Sequence, residues 1–145
     1  MPKKLLLLSL GAFCALEFVL INVHGADEPK KVDMSKVPPA SARKGLSFEK
    51  DVKPILDKSC VKCHSGDKPK GKYRMDTLAS VIKGGESGDP AVVPSQGGKS
   101  PLVLYPSDAV QDMEMPPTEK RDKFPHLTKE QIGVLRAWID QGAKK

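Results

Sequence analysis

Large aromatic side chains are scarce in this chain: one tryptophan, two tyrosines and four phenylalanines among 145 residues. An ordered domain of about a hundred residues with so few of them has a thin apolar core, and a bound group is expected to supply the missing volume. No segment alternates apolar and polar residues as a half-buried strand does, and no repeat recurs, which argues against sandwiches, barrels and solenoids. The stretch "GGKS" at 97–100 falls short of a phosphate-binding loop, because Val93 stands where that loop needs glycine. Lysines are scattered without interleaved aromatics, so no nucleic-acid partner is expected. Long apolar runs are also lacking, with one exception at the start. Leu5 to Val23 follows Lys3 and Lys4 and is interrupted by Ser9, Glu17 and Asn22. It reads as a signal peptide, 1–25, cut between Gly25 and Ala26, which places the mature chain in the periplasm or otherwise outside the cytoplasm. A retained anchor is the competing reading, disfavoured by Glu17 and Asn22 in a run near the lower length for a span; without it the mature form has no stable membrane span. Loss of two lysines and one glutamate with the leader takes the formal charge from +6 to +5. That balance favours encounter with acidic partners.

What is present falls into a polar arm followed by a helical domain. Residues 26–46 are lysine-rich, proline-broken and without apolar period, and are expected to be a flexible linker. The domain, 47–145, is expected to be all-α with long glycine- and proline-rich loops. Ser47 is placed to cap a helix carrying Phe48, Val52, Ile55 and Leu56 on one face, with Pro54 as a possible kink. Leu78, Val81 and Ile82 suggest a short helix ended by Gly84 and Gly85. "SPLVLY" at 100–105 is too short to divide helix from strand. The last helix is the best marked: Thr128 and Gln131 form a capping box, Leu127 and Ile132 a staple, Ile132, Leu135, Trp138 and Ile139 a stripe, and Gly142 a stop.

Past the leader the chain keeps only Cys60 and Cys63, in "CVKCH". Three readings compete. A redox disulfide wants the βαβ surroundings of a thioredoxin-like fold, which are missing. A zinc site needs a fourth ligand after Cys60, Cys63 and His64, and His126 is the one good donor left; the adjacency of Cys63 and His64 also makes closure on one small ion awkward. A covalently attached haem uses the whole stretch: each thiol adds to one vinyl group, the two intervening residues span the distance, and His64 becomes the proximal ligand. A sixth ligand is then sought downstream. Met115, in "DMEMPP", precedes two prolines that stiffen its backbone and is the first choice. Met113, Met75 and His126 stand behind it.

Taken together, these segments resemble the planctomycete-type cytochrome c domain, a branch of the class I c-type cytochromes. The resemblance covers about 47–143 and rests on "FEKDVKPILDKSCVKCHSGDKPKG", "RMDT", "GGESGDPAVVPS", "MPP" and "LTKEQIGVLRAWIDQGA". It implies a small helical fold wrapped around one haem c, thioether links at Cys60 and Cys63, and iron ligation by His64 and Met115. It further implies that the helix from Phe48 crosses the helix from Thr128, with Trp138 between them. The chain departs from the family pattern at Lys72 and Ser95, where glycine is usual, and in the lengthened "TEKRDKFPH" before the last helix. The function so implied is one-electron transfer rather than enzymatic turnover. The basic surface, including Lys68, Lys70 and Lys72 just after the motif, is a candidate docking patch for redox partner proteins with acidic surfaces. The alternatives are a haem peroxidase or gas sensor with a labile sixth ligand, and a haem-bearing module that docks to a larger redox complex.

Overall fold

The computed structural model describes residues 30–145. The expected leader and the first residues of the expected linker lie outside the described residues. Within them the chain is helical, with no strand and a single isolated bridge between Val32 and Val110. Four α-helices carry the fold: α1 (Lys53–Ser59), α2 (Leu78–Lys83), α3 (Pro101–Leu104) and α4 (Lys129–Asp140). None of the described helices is long and apolar enough to cross a membrane.

The segment leading into α1 shows how a proline is accommodated. Ser47 caps it by accepting from the Lys50 N–H, and Phe48–Val52 winds as a wide π-turn in which the Lys53 N–H reaches the Phe48 carbonyl. An ordinary α-turn here would set the Pro54 ring against the Lys50 carbonyl. The wider turn relieves that clash, so Pro54 falls in the first turn of α1, where its missing donor costs little. "SPLVLY" resolves as one helical turn, with Leu102, Val103 and Leu104 all buried. The α2 start is better capped than its sequence suggests, because Thr77 and Ser80 form a reciprocal box.

Helix α4 forms as its signals dictate. Gln131 N–H donates to Thr128 Oγ1 at 3.2 Å and Thr128 N–H to Gln131 Oε1 at 2.9 Å. Its end is a Schellman turn: Gly142 N–H reaches the Ile139 carbonyl and Ala143 N–H the Trp138 carbonyl, with Gly142 at φ +95°. The buried stripe of α4 packs on the π-turn, where the Phe48 and Trp138 rings lie 6.0 Å apart at a tilt of 43°. Lys144 seals this corner, its carbonyl accepting from both Phe48 N–H and Trp138 Nε1.

The segment expected to be a flexible linker is ordered over its described part, residues 30–46, and this corrects the expectation. Val37, Pro38 and Leu46 are buried. The strap runs over α4 at Gly133, where an added Cβ would come within 2.9 Å of the Pro39 carbonyl. Ser41 N–H donates to the Gly133 carbonyl at 2.9 Å and Arg136 Nη1 to the Pro38 carbonyl at 2.8 Å. Single buried residues and backbone bonds hold it, and neither leaves an apolar period.

Lys72 and Ser95, which stand where the resemblance implies glycine, share one property. Lys72 has φ +49° and Ser95 φ +57°, both in the left-handed region that glycine enters freely. A side chain there costs about 1–2 kcal/mol in backbone conformation.

Candidate functional site

Helix α1 leads directly into the CVKCH stretch. Cys60 N–H and Val61 N–H both bond to the Leu56 carbonyl at the helix end, and the chain then turns about Cys60, whose carbonyl accepts from Cys63 N–H at 3.1 Å and His64 N–H at 3.0 Å. The carbonyls of this turn tie down the next loop: Lys70 N–H reaches Cys63 O at 2.9 Å and Met75 N–H reaches His64 O at 2.7 Å. Both thiols are free and half-buried. Burial, with Cys63 beside it, pushes the Cys60 thiol up to about 12.

These residues line a cavity of about 530 Å³, within the roughly 300–1,000 Å³ typical of ligand sites. Cys60, Cys63 and His64 contribute to one part of its wall; Met113 and Met115 reach the same space from a loop some fifty residues later, and Met75 lines it as well. Leu56, Leu102 and Leu135 make the lining apolar, and Tyr73, Tyr105 and Phe124 add rings. Lys70 and Lys120 are also in the wall.

The donor set fits a haem on a feature of the histidine. His64 Nδ1 lies 3.2 Å from the Tyr73 carbonyl. A carbonyl only accepts, so Nδ1 carries the proton and Nε2 keeps its lone pair, which is the arrangement in which a metal-ligating imidazole is oriented by a neighbouring carbonyl. Burial pushes the His64 imidazole below its usual value against the opposing hydrogen bonds at Tyr73 and Lys70, which favours the neutral, ligating form. The edge of the imidazole also meets the Tyr73 ring, centroids 5.6 Å apart.

The zinc reading finds no support: among the described residues no three His, Cys, Asp or Glu side chains converge. His126 does not line the cavity. It turns to Asp108, with Nε2 3.6 Å from Oδ1, and so stands away from any bis-histidine arrangement. Sequence reasoning missed Tyr73 as the orienting carbonyl, and Tyr105 and Phe124 as lining rings. Their rarity was the available signal, since aromatics in short supply are placed where volume is needed.

An attachment motif and methionine sulfur around one apolar cavity in a helical chain are the marks of a c-type cytochrome. The comparison with protein families agrees: residues 60–119 match the family model described as Planctomycete cytochrome C, a domain that implies haem c. The match takes in the attachment motif, α2, α3 and Met115, and stops before α4. No curated protein and no solved structure gives a significant match.

Proposed function

We propose that the protein is an exported, mono-haem electron carrier of class I cytochrome c fold, with haem attached at Cys60 and Cys63 and iron held between His64 and Met115. The observation that carries this reading is the meeting of both thiols, His64 and Met115 on a single apolar cavity. When bound, the haem supplies an iron that cycles between ferrous and ferric states and so moves one electron. The chain's part is to hold that iron. His64 is fixed in rotation by Tyr73. Met115 is tied by its own N–H to the Tyr105 carbonyl at 3.1 Å. Its soft thioether favours the ferrous state and raises the potential relative to a second histidine. With His64 and Met115 both holding the iron, no position would be left for substrate, which is why transfer rather than turnover is proposed.

The test is the absorption spectrum of the ferric, haem-loaded protein. The weak long-wavelength band of methionine sulfur on ferric iron is expected in the native chain and absent in Met115→Ala. That variant should also lose on the order of 0.1 V of reduction potential, a fraction of the roughly 0.8 V over which axial ligands act. A high-spin native spectrum without the band would turn the reading to a peroxidase or gas sensor.

Partners are proposed to be redox proteins with acidic docking surfaces. Lys68, Lys70 and Lys72 are exposed beside the attachment turn, and Lys70 borders the cavity. Electron exchange with an acidic partner should slow as salt rises from low to physiological ionic strength. A rate indifferent to salt would sink the docking patch.

A further inference from the structure

We infer that Arg121 is a positioning residue for the Met115 thioether, acting through the Pro116 carbonyl while Asp108 fixes its guanidinium. The inference rests on the reading of Met115 as a ligand.

Pro116 and Pro117 follow Met115 and offer no N–H, so on that side the loop is tied only through its carbonyls or by side chains from elsewhere. Arg121 supplies such a tie. Its Nε donates to the Pro116 carbonyl at 3.1 Å. The other edge of the same guanidinium is bidentate on Asp108, Nη1 to Oδ2 at 3.0 Å and Nη2 to Oδ1 at 2.6 Å. Asp108 is itself held, because its N–H reaches the Tyr105 carbonyl at 3.1 Å and its carbonyl accepts from Lys36 Nζ at 3.0 Å. The Tyr105 carbonyl is also the acceptor for Met115 N–H. Met115 is therefore braced to one anchor from both sides, directly through Tyr105 and around the ring of Pro116, Arg121 and Asp108. Side-chain exposures of 24% for Arg121 and 27% for Asp108 leave the pair more sheltered than an open surface bridge. Lysine cannot reproduce the brace, since one ammonium does not present a planar fork to Asp108 and a further N–H to Pro116 at once.

A sulfur held only by Tyr105 would leave the iron more often, and an external ligand would enter faster. The experiment measures cyanide binding to the ferric, haem-loaded protein in the native chain, Arg121→Gln, Arg121→Lys and Met115→Ala, with thermal midpoints for each. Arg121→Gln should bind on the order of tenfold faster than native, the factor expected from one lost charge-assisted hydrogen bond, with Arg121→Lys between the two. An acceleration of less than about fivefold, on that same scale, overturns the brace. If Arg121→Gln does not load haem, Arg121→Lys decides, since it keeps the charge and the apolar stem: a rate equal to native then overturns the brace, and any clear acceleration supports it. A purely structural role would lower the thermal midpoint without moving the cyanide rate. The two readings fail separately: a native protein as fast as Met115→Ala sinks Met115 as ligand, whereas a slow native protein with an equally slow Arg121 variant sinks only the brace.

Discussion

A chain denied haem, as in the double variant Cys60→Ala/Cys63→Ala expressed without cofactor supply, should fail to fold cooperatively. At about 24 cal/mol per Å³ of empty space, a cavity of 530 Å³ would cost about 13 kcal/mol if left void. That is the size of a whole domain's net stability, about 5–15 kcal/mol. Water entering the cavity lowers the penalty but wets Tyr73, Tyr105, Met113, Met115 and Phe124 along its wall, which weakens the apolar contact between the CVKCH turn and the later loops. The expected outcome is helical far-UV circular dichroism much reduced, no ordered near-UV signal from Trp138, and no sharp thermal transition. Addition of haem should restore part of all three, because binding to the native state alone stabilises it. A haem-free chain that melts sharply, at the midpoint of the loaded one, would show that the cofactor is a passenger in a self-sufficient core.

The second large effect is expected at Trp138. Its side chain is fully buried, stacks obliquely on Phe48 and donates from Nε1 to the Lys144 carbonyl. Trp138→Ala should cost about 3–5 kcal/mol for the lost volume, with the lost hydrogen bond to the Lys144 carbonyl, which keeps its bond from Phe48 N–H, adding about 1 kcal/mol. In a domain of this size that lowers the midpoint of the loaded protein by roughly 15 °C or more. Trp138→Phe keeps the ring contact and loses the hydrogen bond, so its loss should be a minor part of the alanine effect. Equal losses in both variants would mean that the Lys144 bond, not packing, is what the indole contributes.

The contrast between α4 and the strap shows which physics a single sequence reveals. Capping boxes, staples and stop glycines are local, and Thr128, Gln131, Leu127 and Gly142 all act as their spacing implies. The cavity was half legible for a related reason: Cys60, Cys63 and His64 are contiguous, and Met115 is marked by its prolines. What escaped was held by single contacts between distant segments. The strap is fixed by Val37, Pro38 and hydrogen bonds to the Gly133 carbonyl and the Arg136 guanidinium, so its polar composition reads as a free arm. Arg121 and Asp108 lie 13 residues apart on the chain and are two charges among many until the fold pairs them. The aromatics were the overlooked guide: of the five in the described residues, Tyr73, Tyr105 and Phe124 line the cavity, while Phe48 and Trp138 make the core pair.

The two sources of the cavity wall differ in when they exist. The residues proposed to bond haem lie within five consecutive positions, whereas the methionine loop and α4 are made later, since a ribosome adds about 5–20 residues each second. The attachment turn is short-range and closes on its own carbonyl at Cys60, so it needs no distant contact to present both thiols. On the function proposed above, a newly exported chain would take up its haem before the second source of the wall has formed. Folding then becomes the enclosure of a group already in place, and the order of events is written into the order of the residues.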